Sequence, residues 1–521
     1  MEELTPSRPN QVFGTYLLVI AIAIAAFAFR SDNLNLKPLH ADEAVQAMKF
    51  GELLEHHSYA YDPVEYHGPT LYYLALPLAW LQGVRDLSDL TIAQLRMVPL
   101  LASILLIILL LFIRGGLGEI ETVVAALLTA LSPIMCYYSR YFIQEMLLVA
   151  FSFGFITFGW RFLRFGKTAW AILAGACLGL MHATKETFIL SLACLGTAVV
   201  IDALLARQVR RDLGRIGWKQ LPLLLLVAGV LSVVFFSSFF THGRGPIDSV
   251  MTYANYLGKG TEGATGHEKP WAYFFKLLAW NRAGSGRIWS EAFILGFAAI
   301  GFVLALVGRC RGDQRLWRVL ALYSAGLFAA YSALAYKTPW LALNFMHPII
   351  LLAGLGMVGT IRLLRYNSLR LACIAGVGLG CYNLAVQSWR GTFQFHSDER
   401  NPYAYVHTVP DLVRLSDRIH ALAHVHPDGK NMVVKVMSEE AWPLPWYLRD
   451  LSRVGYFPEG LPDDPLAPIM IINPERDEAL MAKIDESNYT PDAKGLRPGV
   501  MLWMYVEKGL WDDWMARKRN H

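Results

Sequence analysis

Apolar residues in this chain are gathered into blocks rather than spread along it. About eleven blocks, at 12–29, 97–113, 119–137, 143–162, 169–183, 187–205, 221–240, 289–308, 316–336, 341–360 and 368–388, approach the length a helix needs to cross a hydrocarbon core about 30 Å thick. Two stretches are shorter. Residues 70–81 (TLYYLALPLAWL) contain Pro77 and read as re-entrant, interfacial or a short tilted span. Residues 271–280 (WAYFFKLLAW) read as an amphipathic segment lying in the interface. After about residue 390 the apolar runs shrink to strand length, at 432–437, 468–472 and 500–506. Between them lie helical patterns such as 410–424 and turn-rich stretches such as 462–465. The pattern predicts an α-helical polytopic membrane domain over 1–389, with outer loops 30–96 and 241–288, followed by a small α/β domain over 390–521.

Charge orients the helices. Arg114; Arg161, Arg164 and Lys167; Arg207, Arg210, Arg211, Arg215 and Lys219; Arg309, Arg311, Arg315 and Arg318; and Arg362, Arg365 and Arg370 all fall on one side. The short loops of the other side carry only Arg140, Lys185 and Lys337. Translocation disfavours Lys and Arg, so the crowded side is expected to be cytoplasmic. That places the N-terminus in the cytoplasm of a multi-pass protein of the cell (inner or plasma) membrane, and the C-terminal domain outside. Counting 70–81 as a crossing would break this alternation, so it is read as non-crossing. The first block is read as an uncleaved helix rather than a signal peptide, because Glu2 and Glu3 offset Arg8 and ten spans follow.

Composition agrees: 55% of residues are hydrophobic and 17% charged. The net charge of +5 resides mostly in short loops, so no nucleic-acid site is read from it. None of the six cysteines lies in the C-terminal region and there is no CxxC, which argues against a disulfide framework and a zinc knuckle.

The candidate chemistry lies on the outer side, where His40, Asp42, Glu43, Glu65, His67, Arg140, Glu145, Lys185, Glu186 and Lys337 come from separate loops. Ionisable groups at membrane depth are costly and mark substrate sites or pathways. Asp42 and Glu43 are neighbours and point about 100° apart on a helix, so one serves as a base while the other orients or pairs. The bland alternative is an acidic first turn favouring a following helix through its dipole. Arg140 reads equally as an interfacial anchor within an aromatic belt of Tyr137, Tyr138 and Tyr141, or as a partner of Glu145. Lys185 with Glu186, and Lys337 in a tight turn, carry the same alternatives. The histidines and acids of the first outer loop admit a divalent metal, but no ligand spacing is diagnostic and none is assigned. Walker A, HExxH, GxSxG and dinucleotide-binding motifs are absent.

An Asp-Glu pair in the first outer loop, then His-Gly-Pro-Thr-Leu-Tyr-Tyr (67–73), then Ser-Arg-Tyr…Glu (139–145), resembles the GT-C membrane glycosyltransferases of the protein O-mannosyltransferase and aminoarabinose-transferase type. Tyr-Lys-Thr-Pro-Trp with Phe-Met-His-Pro (336–348), Asn-Pro-Tyr-Ala-Tyr-Val-His-Thr (401–408) and Trp-Pro-Leu-Pro-Trp-Tyr-Leu-Arg (442–449) are similar to a narrower bacterial and archaeal group, the "flippase activity-associated" family. The resemblance implies a GT-C-like fold and transfer of a sugar from a polyprenyl-phosphate carrier to a hydroxyl on a lipid, glycan or protein. It implies Asp42 as base with Glu43 its neighbour, and Arg140 near the carrier phosphate. One departure is Gly68, where the better-known enzymes often have Pro. Topology adds Lys185 and Lys337 as phosphate cations, and His67, Glu145 and Glu186 as substrate contacts. Trp442 and Trp446, with Tyr447, are candidates to stack on sugar rings, though core packing is the favoured reading. A transporter or flippase for lipid-linked sugars, or a non-catalytic accessory protein, are the rival readings. Charges at one end of mostly clean spans favour the enzyme.

Overall fold

The computed structural model describes residues 9–206, 219–259 and 268–519. Glu2, Glu3, Arg8, Arg207, Arg210, Arg211 and Arg215 lie outside the described residues. In chain order the helices are α1 (Pro9–Ser31), α2 (Ala41–His56), α3 (Thr70–Leu81), α4 (Ile92–Leu117), α5 (Glu119–Leu131), α6 (Pro133–Tyr138) and α7 (Glu145–Phe165). There follow α8 (Thr168–His182), α9 (Phe188–Leu205), α10 (Leu221–Phe236), α11 (Gly245–Lys259), α12 (Tyr273–Ala279) and α13 (Ala292–Leu306). The series closes with α14 (Gln314–Ala333), α15 (Leu343–Leu363), α16 (Asn367–Trp389), α17 (Pro410–Ala423), α18 (Leu444–Tyr447), α19 (Asp477–Met481) and α20 (Lys508–Arg519).

Every predicted apolar block carries a helix. Among the described residues, six helical segments are long and apolar enough to cross a membrane: Pro9–Ser31, Ile92–Leu117, Glu145–Phe165, Phe188–Leu205, Pro339–Leu363 and Asn367–Gln394. The chain is thus a multi-pass membrane protein. The block predicted over 119–137 is broken in two. Ser132 is extended (φ −60, ψ 122) between α5 and α6, because the ring of Pro133 disfavours the helical conformation in the residue before it.

Contacts divide the chain into two compact units. The first comprises the chain up to Leu34, Ser58–Leu78 and Ala93–Gln394; the second comprises Asn35–His57, Ala79–Ile92 and Phe395–His521.

In the first unit the helices meet backbone to backbone. A Cβ on Gly301 of α13 would collide with the carbonyl of Leu352 in α15, and one on Gly356 of α15 with the carbonyl of Phe297 in α13. Gly175 and Gly179 of α8 abut the carbonyls of Leu224 and Ala228 in α10 in the same way. Lipid gives helices no hydrophobic reason to associate, so close approach through small residues supplies the packing. Buried acids hold several cations read as topology signals. Asp202 takes Arg315 and Arg318, each at 2.7 Å, and Glu121 takes Arg362.

The second unit is built on a five-stranded sheet, β1 (Val434–Met437), β2 (Val454–Tyr456), β3 (Ile469–Ile472), β4 (Tyr489–Arg497) and β5 (Val500–Glu507), in the order β2-β1-β3-β5-β4. β1 runs parallel to β2 and β3, while β5 is antiparallel to β3 and β4. Leu412, Leu415 and Ile419 of α17 pack on Val434, Val436, Ile469 and Ile471. Met437, Met470, Ile472, Leu480 and Tyr505 form a second cluster.

Replacing Gly356 by Leu is expected to wedge α15 from α13 at a cost of about 1–3 kcal/mol. Thermal unfolding in detergent reads it, and an unchanged midpoint would refute the close approach.

Candidate active site

The acidic loop belongs to the second unit. His40 precedes α2 in extended backbone (φ −68, ψ 157). Its Nδ1 accepts the Asp42 N–H at 3.1 Å, and the Glu43 carboxylate accepts the His40 N–H at 3.1 Å. This is a capping box with an imidazole in place of the usual hydroxyl. An imidazolium has no lone pair to accept that bond. Burial holds the His40 pKa below its ordinary value despite the adjacent Asp42 and Glu43. The two neighbouring acids are thereby made different. Glu43 is fully buried and spent on the turn, whereas the Asp42 side chain is 49% exposed. The first-turn role falls to Glu43, and Asp42 stays open.

The motifs of the C-terminal region brace this loop. The Leu39 N–H donates to the Tyr447 hydroxyl at 2.9 Å. The buried ring of His407 lies parallel to that of His40, centroids 5.7 Å apart. The Arg449 guanidinium donates to the carbonyls of Leu87 (3.0 Å) and Leu90 (2.7 Å). It also covers the Trp446 ring at 3.8 Å. Trp446 is therefore a core residue and not open to a sugar ring, which corrects that expectation; Trp442 is half-buried.

The remaining candidates belong to the first unit. Lys185, between α8 and α9, is buried and paired with buried Glu145 at the head of α7. Arg140 therefore does not take Glu145. Nor does it reach to the surface: its Nη1 and Nη2 donate to the carbonyls of Asp32 (2.6 Å) and Asn33 (2.7 Å), and only 3% of it is exposed. Burial, helped by the Arg96 guanidinium, pulls its pKa down to about 10. Lys337 is likewise turned inward, its Nζ donating to the carbonyls of Lys269 (2.8 Å) and Leu334. Among the described residues, then, Glu145 answers Lys185, while backbone carbonyls answer Arg140 and Lys337.

Glu186 faces a different set. His67 Nδ1 lies 2.9 Å from its carboxylate, the Tyr61 hydroxyl donates to it at 3.5 Å, and the Tyr253 hydroxyl donates to its backbone carbonyl at 3.4 Å. Burial pushes the Glu186 carboxyl up, but His67 and Lys185 outweigh that and hold it below its usual value. The His67 side chain is 30% exposed. The Gly68 departure has a steric cause: a Cβ there would strike the Ala183 carbonyl. Beside it the Thr70 N–H donates to that carbonyl at 3.1 Å, and the Thr70 and Thr184 hydroxyls meet at 2.7 Å. Tyr61, Tyr253 and Arg96 gave no sequence signal; only their contacts disclose them. Among the described residues no three His, Cys, Asp or Glu side chains gather into a metal-holding group.

A family model for dolichyl-phosphate-mannose-protein mannosyltransferase matches residues 75–238. No curated protein matches the chain by sequence. Among solved structures, ArnT from Cupriavidus metallidurans in the apo state aligns at 15% identity over 94% of this chain and 98% of its own, TM-score 0.64. The same protein bound to undecaprenyl phosphate aligns at 16% identity over the same shares, TM-score 0.63. The oligosaccharyltransferase AglB from Archaeoglobus fulgidus, in complex with an inhibitory peptide and a dolichol-phosphate, aligns at 11% identity over 96% of this chain and 75% of its own, TM-score 0.58. At these identities the likeness is one of fold.

A buried imidazole held neutral stabilises the fold above its unfolded pKa of about 6.5, and that contribution is lost as pH falls toward the lower folded value. Protection of the Asp42 amide against hydrogen exchange, corrected for intrinsic rate, should therefore drop between about pH 7 and pH 5. His40→Ala should abolish the dependence and cost the cap about 1 kcal/mol. Equal slopes in both proteins would refute the role of His40.

Proposed function

We propose that this chain, which has the GT-C fold of the O-mannosyltransferase and aminoarabinose-transferase type, is a glycosyltransferase. It moves a sugar from a polyprenyl-phosphate donor to a hydroxyl acceptor at the outer membrane face, inverting the anomeric centre. The observation that carries this reading is the division of labour in the acidic loop: one carboxylate locked into the turn, its neighbour left open. Two proteins of like fold are seen with such carriers, ArnT with undecaprenyl phosphate and AglB with a dolichol-phosphate. The asymmetry of loop charge supports the outer face.

In this reading the acceptor oxygen attacks the anomeric carbon as the bond from that carbon to the phosphate oxygen breaks. Asp42 takes the hydroxyl proton, and the polyprenyl phosphate leaves with the electron pair. Glu43 positions Asp42 and does not itself react. Arg140 and Lys337, whose side chains donate to backbone carbonyls, stabilise the leaving phosphate, and a buried cation gains most from an arriving anion. Lys185 acts through its pairing with Glu145. His67, backed by Glu186, offers its exposed edge to the donor, and half-buried Trp442 offers a ring face to a sugar. The partners are a polyprenyl-phosphate sugar, membrane lipid, and a lipid, glycan or protein acceptor.

Purified protein given a panel of radiolabelled polyprenyl-phosphate sugars, with total membrane extract as acceptor, should transfer label. Asp42→Asn should reduce the rate about 10²–10⁴-fold. Equal product from both proteins would overturn Asp42 as base. Transfer from no donor would overturn the enzyme in favour of a transporter or accessory protein. Glu186→Gln, which loses the charge behind His67, should raise the donor KM about tenfold with a smaller change in kcat. A fall in kcat alone would remove Glu186 from donor binding.

A further inference from the structure

The Asn-Phe-Met-His-Pro stretch (344–348) has no part in that chemistry, yet it brings two polar side chains, Asn344 and His347, into the apolar interior of the first unit. Asn344 and His347 are the second and fifth residues of α15, and Ser152 lies two turns along α7. All three are buried, at 5%, 1% and 6% exposure. They line a cavity of about 10 Å³ together with Tyr323 and Pro348, and its remaining walls are apolar. Among the described residues, Ser152 Oγ, Asn344 Oδ1 and His347 Nε2 find no hydrogen-bond partner. Pro348, having no N–H, also gives nothing to the Asn344 carbonyl four residues before it. The edge-on contact of Phe153 with the His347 ring, centroids 4.6 Å apart, fixes the imidazole against this space.

We infer that this cavity is a binding site for one ordered water, a hydration site within the helix bundle that ties α7 to α15. The volume suits a single water, and the wall supplies three polar partners, within the two to four that a buried water takes. The Asn344 Oδ1 accepts a hydrogen bond from the water, which accepts in turn from the Ser152 hydroxyl and from His347 Nε2–H. No carboxylate lines the cavity, so the occupant is water rather than a cation. In hydrocarbon no bulk solvent satisfies such groups, and an internal bridge takes its place. The inference stands apart from the proposed transfer reaction and concerns the scaffold that holds it.

Ser152→Val in the full-length protein separates a wet cavity from a dry one by sign. If water bridges the three groups, valine evicts it and strands Asn344 and His347, and the unfolding midpoint in detergent should fall by about 2–5 °C. A dry cavity would instead be filled and lose an unpaired hydroxyl, so an unchanged or raised midpoint overturns the site. Overpacking is tested by adding Asn344→Leu and His347→Phe to Ser152→Val. Recovery of most of the midpoint supports stranded polar groups, and a further fall overturns the proposal. Should the triple variant not fold, an experimental map of the wild type decides. A solvent peak about 2.7–3.2 Å from the three atoms supports the site, and its absence overturns it.

Discussion

Charge taken into a chain this apolar has to be answered from inside the chain, and that requirement arranges much of what the structure shows. Asp202 gathers two arginines, Glu121 holds Arg362, and Glu145 holds Lys185. For two other cations the ends of helices and turns supply carbonyls. The carbonyls of Asp32 and Asn33 receive Arg140, and those of Lys269 and Leu334 receive Lys337. A carbonyl offers a partial charge only, and near Arg140 the Asp32 carboxylate adds a full one. Burial, with the neighbouring Arg96 charge, lowers the Arg140 pKa, and the Asp32 carboxylate opposes that shift.

The same economy separates Asp42 from Glu43. One residue apart in sequence and chemically alike, they are distinguished by a backbone N–H. Glu43 reaches back to His40 and disappears into the turn, while Asp42, one position earlier, has no such bond to make. The imidazole at the cap, the stacked ring of His407 and the hydroxyl of Tyr447 behind Leu39 all serve to fix the turn. The orientation of the Asp42 carboxylate is thereby set by the turn before any partner arrives.

The membrane helices were legible because their signal is local: twenty apolar residues in a row permit few alternatives. The break at Ser132 was also within reach, through Pro133, but was hidden by the apolar residues on either side. Strands β1, β3 and β5 matched the predicted apolar runs, whereas β2 and β4, the two edges of the sheet, did not announce themselves. Edge strands tolerate Pro, Gly and charge, and β4 contains Pro491, Gly495, Asp492 and Lys494. The acidic loop and its outlying motifs were visible as words, but their contact was not. Leu39 and Tyr447 are 408 residues apart in sequence, and no pattern along a chain encodes which distant hydroxyl a given N–H finds. The core place of Trp446 shows for a related reason only in the fold, which puts Arg449 across its ring.

The second unit is discontinuous, drawn from Asn35–His57, Ala79–Ile92 and Phe395–His521. On the ribosome this has a temporal meaning. Asp42 emerges early, but His407 and Tyr447 follow more than three hundred residues later, which at roughly 5–20 residues per second is a delay on the order of tens of seconds. Throughout that interval the helices of the first unit are being laid down while the acidic turn lacks its supports. A chain released before residue 407 would carry Asp42 without these contacts, so the turn is braced only after the helices of the first unit have been made.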